Sequence, residues 1–218
     1  MSNNKSIMRK ALIPFLKFFD LYSLAQLRDR GPLVDYGWFR SFREQKPVDQ
    51  TGNPFPWFSY PIVTFLEKRV QPHFTVFEFG TGNSTLWWSK MVARVLSCEH
   101  DPGWYDTIKK TAPSNVTLMY IESPEKDYAK SLENFSEKFE IIIVDGEQRV
   151  ECAKHAIPSL TSDGVIIFDD SDRPEYAEAM RYLKDQGFRQ IEFYGMTACV
   201  NVGKETSIFY RPENCFHI

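Results

Sequence analysis

The spacing of apolar and polar positions changes character near residue 74. Upstream, residues 11–27 (ALIPFLKFFDLYSLAQL) set Leu12, Phe15, Leu16, Phe19 and Leu27 mostly apart from Lys17, Asp20 and Arg28, which share one stripe at helical spacing. This predicts an amphipathic helix over 11–29, stopped by Gly31-Pro32. Its uninterrupted apolar run is too short to cross a bilayer, and no small-residue cleavage site follows it. Such a helix packs on its own domain or on a partner subunit in a homodimer, or it lies on a membrane surface. Residues 31–56 carry Gly, Pro, Asp and Asn among scattered Tyr36, Trp38, Phe39 and Phe42, and read as a loop. Over 56–70, Pro61 suits a first helical turn, and Ile62, Phe65, Leu66 and Val70 form an apolar face.

From residue 74 the pattern alternates regularly. Strands are expected at 74–79, 93–98, 116–121, 140–144 and 164–168. Helices are expected between them at 84–92, 102–111, 125–135 and 148–157, and after them at 174–186. The strand EIIIV at 140–144 is almost wholly apolar, as in a parallel strand buried on both faces. The last two strands, 190–194 and 207–210, have no helix between them and so form an antiparallel pair. The order implies an α/β, Rossmann-like, doubly wound sheet, with residues 1–55 as an N-terminal helical and loop extension to a domain over 56–218. The 218 residues suit one such domain, which buries about 70% of its unfolded surface without disulfide or metal.

Composition removes some functional classes. Lys+Arg is 26 against 29 Asp+Glu, a net charge of −3, so the chain as a whole lacks a basic nucleic-acid footprint. Cys98, Cys152, Cys199 and Cys215 form no C-x-x-C pair and no His sits at zinc-ligand spacing to two of them, which reads as four reduced thiols of a cytoplasmic protein. Aromatic residues reach 15%, which favours ring-lined pockets or interfaces.

The strongest chemical signal is VFEFGTGNST at 76–85. A strand ends near Glu78, turns through Gly80, Thr81 and Gly82, and enters a helix at Ser84. Glycines there permit a tight turn and close approach of a ligand to backbone N–H groups. The third glycine of the dinucleotide pattern G-x-G-x-x-G is missing, which disfavours an NAD(P) oxidoreductase. Nineteen residues after Gly80, Glu99 ends the second strand in LSCEHD, where a carboxylate can accept from ribose hydroxyls of either cofactor type.

FEFGTGNSTLWW, LSCEHD, IIIVDG and GVIIFDD, in this order and spacing, resemble the class I S-adenosylmethionine (SAM)-dependent methyltransferases over about residues 55–211. The likeness is to small bacterial members reading E-x-G-x-G-x-S-T, V-D-G-x-x-R and G-G-V-I-x-x-D-D. Asp163-Gly164 here replaces the usual Gly-Gly, which touches only a turn. The resemblance implies a seven-stranded sheet with the last strand antiparallel. It also implies that Glu78 and Gly80 border the methionine end of SAM, with Thr81, Gly82 and Ser84 in the turn. Glu99 would take the ribose, His100 the adenine edge, and Glu122 would face the adenine.

Asp145, Asp169 and Asp170 end the fourth and fifth strands of the alternation, at or near the expected crevice. Asp145 can accept from the SAM amino group or act as base toward an acceptor hydroxyl. The three together could hold Mg²⁺, or Asp169 and Asp170 could cap the next turn. Arg149 and Arg173 either bind an anionic acceptor or pair with Glu147 and Asp172. His155 falls inside a helix and reads as structural, while Trp57 and Tyr60 either close the pocket or pack in the core. The expected function is SAM-dependent O-methylation of a small molecule or glycan, with Asp145, Asp169 and Arg149 as catalytic candidates. The competing reading is a non-catalytic nucleoside-binding or membrane-associated scaffold, with membrane contact through 11–27. Asn-Pro-Pro-Tyr-like chemistry on nucleic acid has no counterpart after the fourth strand.

Overall fold

The computed structural model describes residue 14 and residues 17–122 and 127–218. Its centre is one seven-stranded sheet of β1 (Thr75–Phe79), β2 (Arg94–Glu99), β3 (Val116–Tyr120), β4 (Phe139–Val144), β5 (Leu160–Asp169), β6 (Arg189–Met196) and β7 (Gly203–Tyr210). The strand order is β3-β2-β1-β4-β5-β7-β6. The first five strands are parallel, and β7 runs antiparallel to both β5 and β6. The expected Rossmann-like, doubly wound α/β sheet with an antiparallel last strand is therefore the observed one.

Alternate residues of each central strand face opposite sides. Phe77, Phe79, Ile142, Val144, Ile166 and Phe168 point to one layer, which buries Cys152, Ala153 and Leu183. Those last residues come from the helices α7 (Arg149–Ala156) and α8 (Ala177–Asp185). Val76, Val95, Ile141, Ile143, Val165 and Ile167 point to the other layer. There they meet Ile62 and Leu66 of α4 (Tyr60–Leu66) and Trp88 of α5 (Asn83–Trp88). Burial on both faces explains the apolar EIIIV run. The helix α6 (Pro102–Lys109) starts at Asp101, whose carboxylate accepts from the Trp104 N–H at 2.6 Å.

The N-terminal part differs from the sequence expectation. The helix foreseen over 11–29 is interrupted: Asp20 takes left-handed backbone (φ 56°), and α1 spans Leu21–Asp29. Residues 11–13, 15 and 16 of that expectation lie outside the described residues. Residues 31–56 are not simply loop, since α2 (Pro32–Asp35) and α3 (Trp38–Glu44) form there. Gly31, Gly37 and Gln45, all at positive φ, bound these short helices, which is why Gly and polar residues there resembled loop. Tertiary bonds hold the segment to the loop between β6 and β7 and to α5: Trp38 Nε1 donates to the Val200 carbonyl (2.8 Å) and Asn83 Nδ2 to that of Pro47 (2.5 Å). Of the helix foreseen over 125–135, residues 123–126 are outside the described residues, and Ala129–Asn134 form a 3₁₀ helix. The four cysteines are buried free thiols.

Candidate functional site

The chain leaves β1 for β2 and β3 on one side and returns to β4 and β5 on the other. A crevice at such a reversal, outside the carboxyl ends of the strands, is where α/β sheets bind ligands. Here it is a cavity of about 860 Å³, lined by Gly80–Ser84 after β1, Glu99 and His100 after β2, and Asp145–Glu147 and Arg149 after β4. That volume lies within the roughly 300–1,000 Å³ of small-molecule sites.

The glycine turn is built from the sheet outward. Gly80 N–H donates to the Cys98 carbonyl (3.0 Å), and Asp145 N–H to that of Phe79 (3.1 Å). Gly80 has φ +94°, and a Cβ on it would lie 2.8 Å from the Asp145 carbonyl oxygen, so a side chain is excluded on both counts. A Cβ on Gly146 would lie 2.0 Å from the Tyr128 hydroxyl oxygen. These two glycines let the β1 and β4 loops pass each other and leave the backbone bare toward the cavity.

Glu99 is 5% exposed and anchors the turn. Its Oε2 accepts from Thr81 N–H (3.0 Å), and its Oε1 from the N–H groups of His100 and Asp101 (both 2.8 Å). Thr81 Oγ1 shares a hydrogen bond with Ser97 Oγ at 2.7 Å, while Trp104 Nε1 donates to the Thr81 carbonyl and closes the turn from α6. Glu78 lies beneath this layer, fully buried and outside the cavity wall. Gly82 N–H donates to Thr85 Oγ1 (2.9 Å), which donates to Glu78 Oε2. Burial pushes the Glu78 carboxyl up to about 8 despite the hydrogen bond from Thr85. Its Oε1 has no partner.

The three aspartates are separated by depth. Asp145 lines the cavity with its side chain 22% exposed, whereas Asp169 and Asp170 are buried behind it. Arg149 joins them: Nη2 meets Asp145 Oδ1 (3.0 Å), and Nη1 meets Asp170 Oδ2 (3.1 Å) and the Asp169 carbonyl (2.6 Å). Lys204 from β7 lies between Asp169 Oδ2 and Asp170 Oδ1 (3.0 Å to the latter), and Thr206 Oγ1 donates to Asp169 Oδ1 at 2.6 Å. Arg173 Nη2 adds a 2.9 Å contact to Asp170 Oδ2. Burial, with the Asp169 charge adding to it, pushes the Asp145 carboxyl up against the pull of Arg149 and Lys204. Burial also opposes charge on Asp170, but Lys204, Arg149 and Arg173 outweigh it and hold that carboxyl below its usual range.

The Mg²⁺ that Asp145, Asp169 and Asp170 could have held is not supported. Lys204, Arg149, Arg173 and Thr206 take up the carboxylate oxygens that would bind it, and no group of three His, Cys, Asp or Glu among the described residues has metal-holding geometry. The arginines pair with Asp145 and Asp170, not with Glu147 and Asp172. Trp57 lines the cavity, while Tyr60 is buried against Tyr36 with ring centroids 4.8 Å apart. His155 meets Glu133 at the surface, and Glu122 is exposed just beyond β3. Sequence reasoning missed Lys204, Tyr128, Trp104 and the Glu44–Pro47 wall. Of these only Trp104, an aromatic in the first turn of an expected helix beside the site, carried any local signal.

The residues fit a bound SAM. Tyr128 Oη, on the cavity wall, is a buried polar atom without a hydrogen-bond partner, His100 Nδ1 lies 3.1 Å from Glu99 Oε1 on the same wall, and the glycine turn leaves the backbone open beside them.

Comparisons with known proteins agree with this arrangement. A family profile described as a methyltransferase domain matches residues 77–171, from β1 to just beyond β5. Among solved structures, the Bacillus cereus O-methyltransferase in complex with SAH is 15% identical, with a TM-score of 0.56 over 86% of this chain and 96% of that one. Precorrin-6y C5,15-methyltransferase from Geobacter metallireducens is 20% identical, with a TM-score of 0.53 over 68% and 86%. An rRNA methylase from Streptococcus thermophilus is 14% identical, with a TM-score of 0.53 over 70% and 95%. No curated protein sequence is significantly similar to the chain. The chain thus has the class I SAM-dependent methyltransferase fold. The neighbours' named activities differ, so the shared feature is the fold.

Proposed function

We propose that the chain transfers a methyl group from SAM to an oxygen of a small-molecule or glycan acceptor. The carrying observation is that one cavity brings together the Gly80–Ser84 turn, Glu99 and Asp145, two recognition elements and one carboxylate with a raised pKa. The O-methyltransferase among the structural neighbours, solved with SAH, supports the same reading.

When bound, SAM supplies a methyl group that is already electrophilic, so the protein's part is alignment and proton handling. In this reading Glu99 accepts from the ribose hydroxyls while keeping the Thr81 turn in place, and Tyr128 offers its unpartnered hydroxyl. The Gly80–Ser84 backbone receives the amino-acid end. Asp145 faces the cavity with Arg149 fixing one oxygen, and takes the acceptor proton through the other. A carboxyl raised toward working pH is a better base than an ordinary surface aspartate. Asp169 and Lys204, behind it, set its environment without touching the acceptor.

The test combines calorimetry with turnover. Wild-type protein should bind SAM and SAH, and Asp145→Asn should keep SAH affinity within a few-fold. Transfer of labelled methyl to an acceptor panel should fall by about 10²–10⁴ in that variant. Absence of SAM and SAH binding would refute the cofactor reading, and unchanged turnover in Asp145→Asn would refute the base.

A further inference from the structure

The N-terminal face carries a feature the methyl-transfer reading does not use. On α1, Leu21, Leu24 and Leu27 recur at three-residue spacing and are 45%, 58% and 47% exposed, and Phe18 just before the helix is 82% exposed. No residue of α1 is buried. A soluble helix normally turns its leucines inward, so this apolar face is unpartnered within the described residues.

Basic side chains border it. A shallow pocket of about 400 Å³ between α1 and α3 is lined by Arg28, Arg40 and Arg43, and Arg28 lies over the Phe39 ring at 5.8 Å. Arg40 pairs with Glu44 at 2.7 Å, but among the described residues no carboxylate is within ion-pair distance of Arg28 or Arg43. The whole sequence is polarised in the same sense. Residues 1–46 hold nine Lys or Arg against four Asp or Glu, a net +5, whereas residues 47–218 hold 17 against 25, a net −8.

We infer that this face docks on an anionic phospholipid membrane surface. The exposed leucines and Phe18 enter the boundary of the acyl region, and Arg28 and Arg43 meet the headgroups. Apolar insertion and a basic patch are the two signals that together give stable peripheral binding. Two other occupants fit less well. A two-fold interface with a second copy would set this basic patch against the same basic patch. A nucleic acid would match the arginines and leave the leucines without a partner. Among the described residues no helix is long and apolar enough to cross a membrane, so the contact is with a surface. Because α3 runs into the Glu44–Pro47 wall of the cavity, docking would hold that cavity close to the bilayer.

The test is co-sedimentation of the full chain with phosphatidylcholine vesicles, with and without phosphatidylserine. Binding should require phosphatidylserine and weaken as salt screens the arginines. The paired substitutions Leu24→Glu with Leu27→Glu, and Arg28→Gln with Arg43→Gln, should each lower partitioning by about tenfold or more. These side chains are exposed or line the surface pocket, so circular dichroism and melting should match wild type. Any of four results overturns the inference: no sedimentation with either vesicle, equal binding to both, a dimer in light scattering that the leucine variant dissociates, or retention on RNA in place of vesicles.

Discussion

Glu78 gives the fold a pH dependence that can be worked out in advance. Its carboxyl is fully buried, and only one of its oxygens has a partner, the Thr85 hydroxyl. Burial raises it from an ordinary 4.5 to about 8. Below pH 4.5 the group is protonated in both folded and unfolded chains and contributes no pH dependence. Between 4.5 and about 8 the folded chain keeps a proton that the unfolded chain has released, so stability falls as pH rises. The slope is about 1.4 kcal/mol per pH unit, and across the window the loss is on the order of 5 kcal/mol. Above about 8 both states are ionised and the curve flattens. Gln is nearly isosteric, keeps an acceptor for Thr85 and cannot ionise, so Glu78→Gln should lack this slope. Urea unfolding of both proteins at several pH values from 5 to about 8.5 reads the difference directly. The variant should gain on wild type steadily with pH, by several kcal/mol at the top of the range. A stability difference that does not change with pH would refute the reasoning, because it would mean that Glu78 is ionised in the folded chain throughout.

Other substitutions probe the rest of the site. Gly80→Ala forces a side chain onto left-handed backbone and into the Asp145 carbonyl. It should cost at least about 1–2 kcal/mol in denaturant unfolding and weaken SAH binding in calorimetry. Lys204→Met leaves Asp169 without its buried cation and should destabilise by about 3–5 kcal/mol, so a shift below 1 kcal/mol would show that the pair is not formed. Glu99→Ala releases the Thr81, His100 and Asp101 N–H groups as well as any ribose contact. SAH affinity should fall by about tenfold or more, consistent with loss of a charge-assisted bond, and unchanged affinity would remove Glu99 from the site.

The strand–helix alternation from residue 74 onward was legible because a two-residue period and a 3.6-residue period are different signals in the same chain. The strand ends, the Gly80 turn and Glu99 were legible for a related reason. A sheet buried on both faces demands continuous apolar runs, and the polar residues that end those runs stand at its carboxyl edge. The sequence therefore determined the sheet, its antiparallel final strand and which edge carries the cavity.

Only tertiary structure decided what the edge residues do. Asp169 lies 35 positions before Lys204, and they meet because β5 and β7 pair antiparallel with Asp169 opposite Thr206. No local pattern encodes that register, so three acids whose roles stayed open between base, metal ligand and turn cap form an ion-paired network with Lys204, Arg149 and Arg173. Depth was equally hidden, since one strand-end aspartate reaches the cavity while its neighbours stay behind it. The α2 and α3 helices went unread because their short spans begin and end at Gly or at residues with positive φ, and such chain is held by bonds to distant residues such as Val200. Local spacing fixes periodic elements, whereas the partners of a buried charge depend on which strands the fold sets side by side.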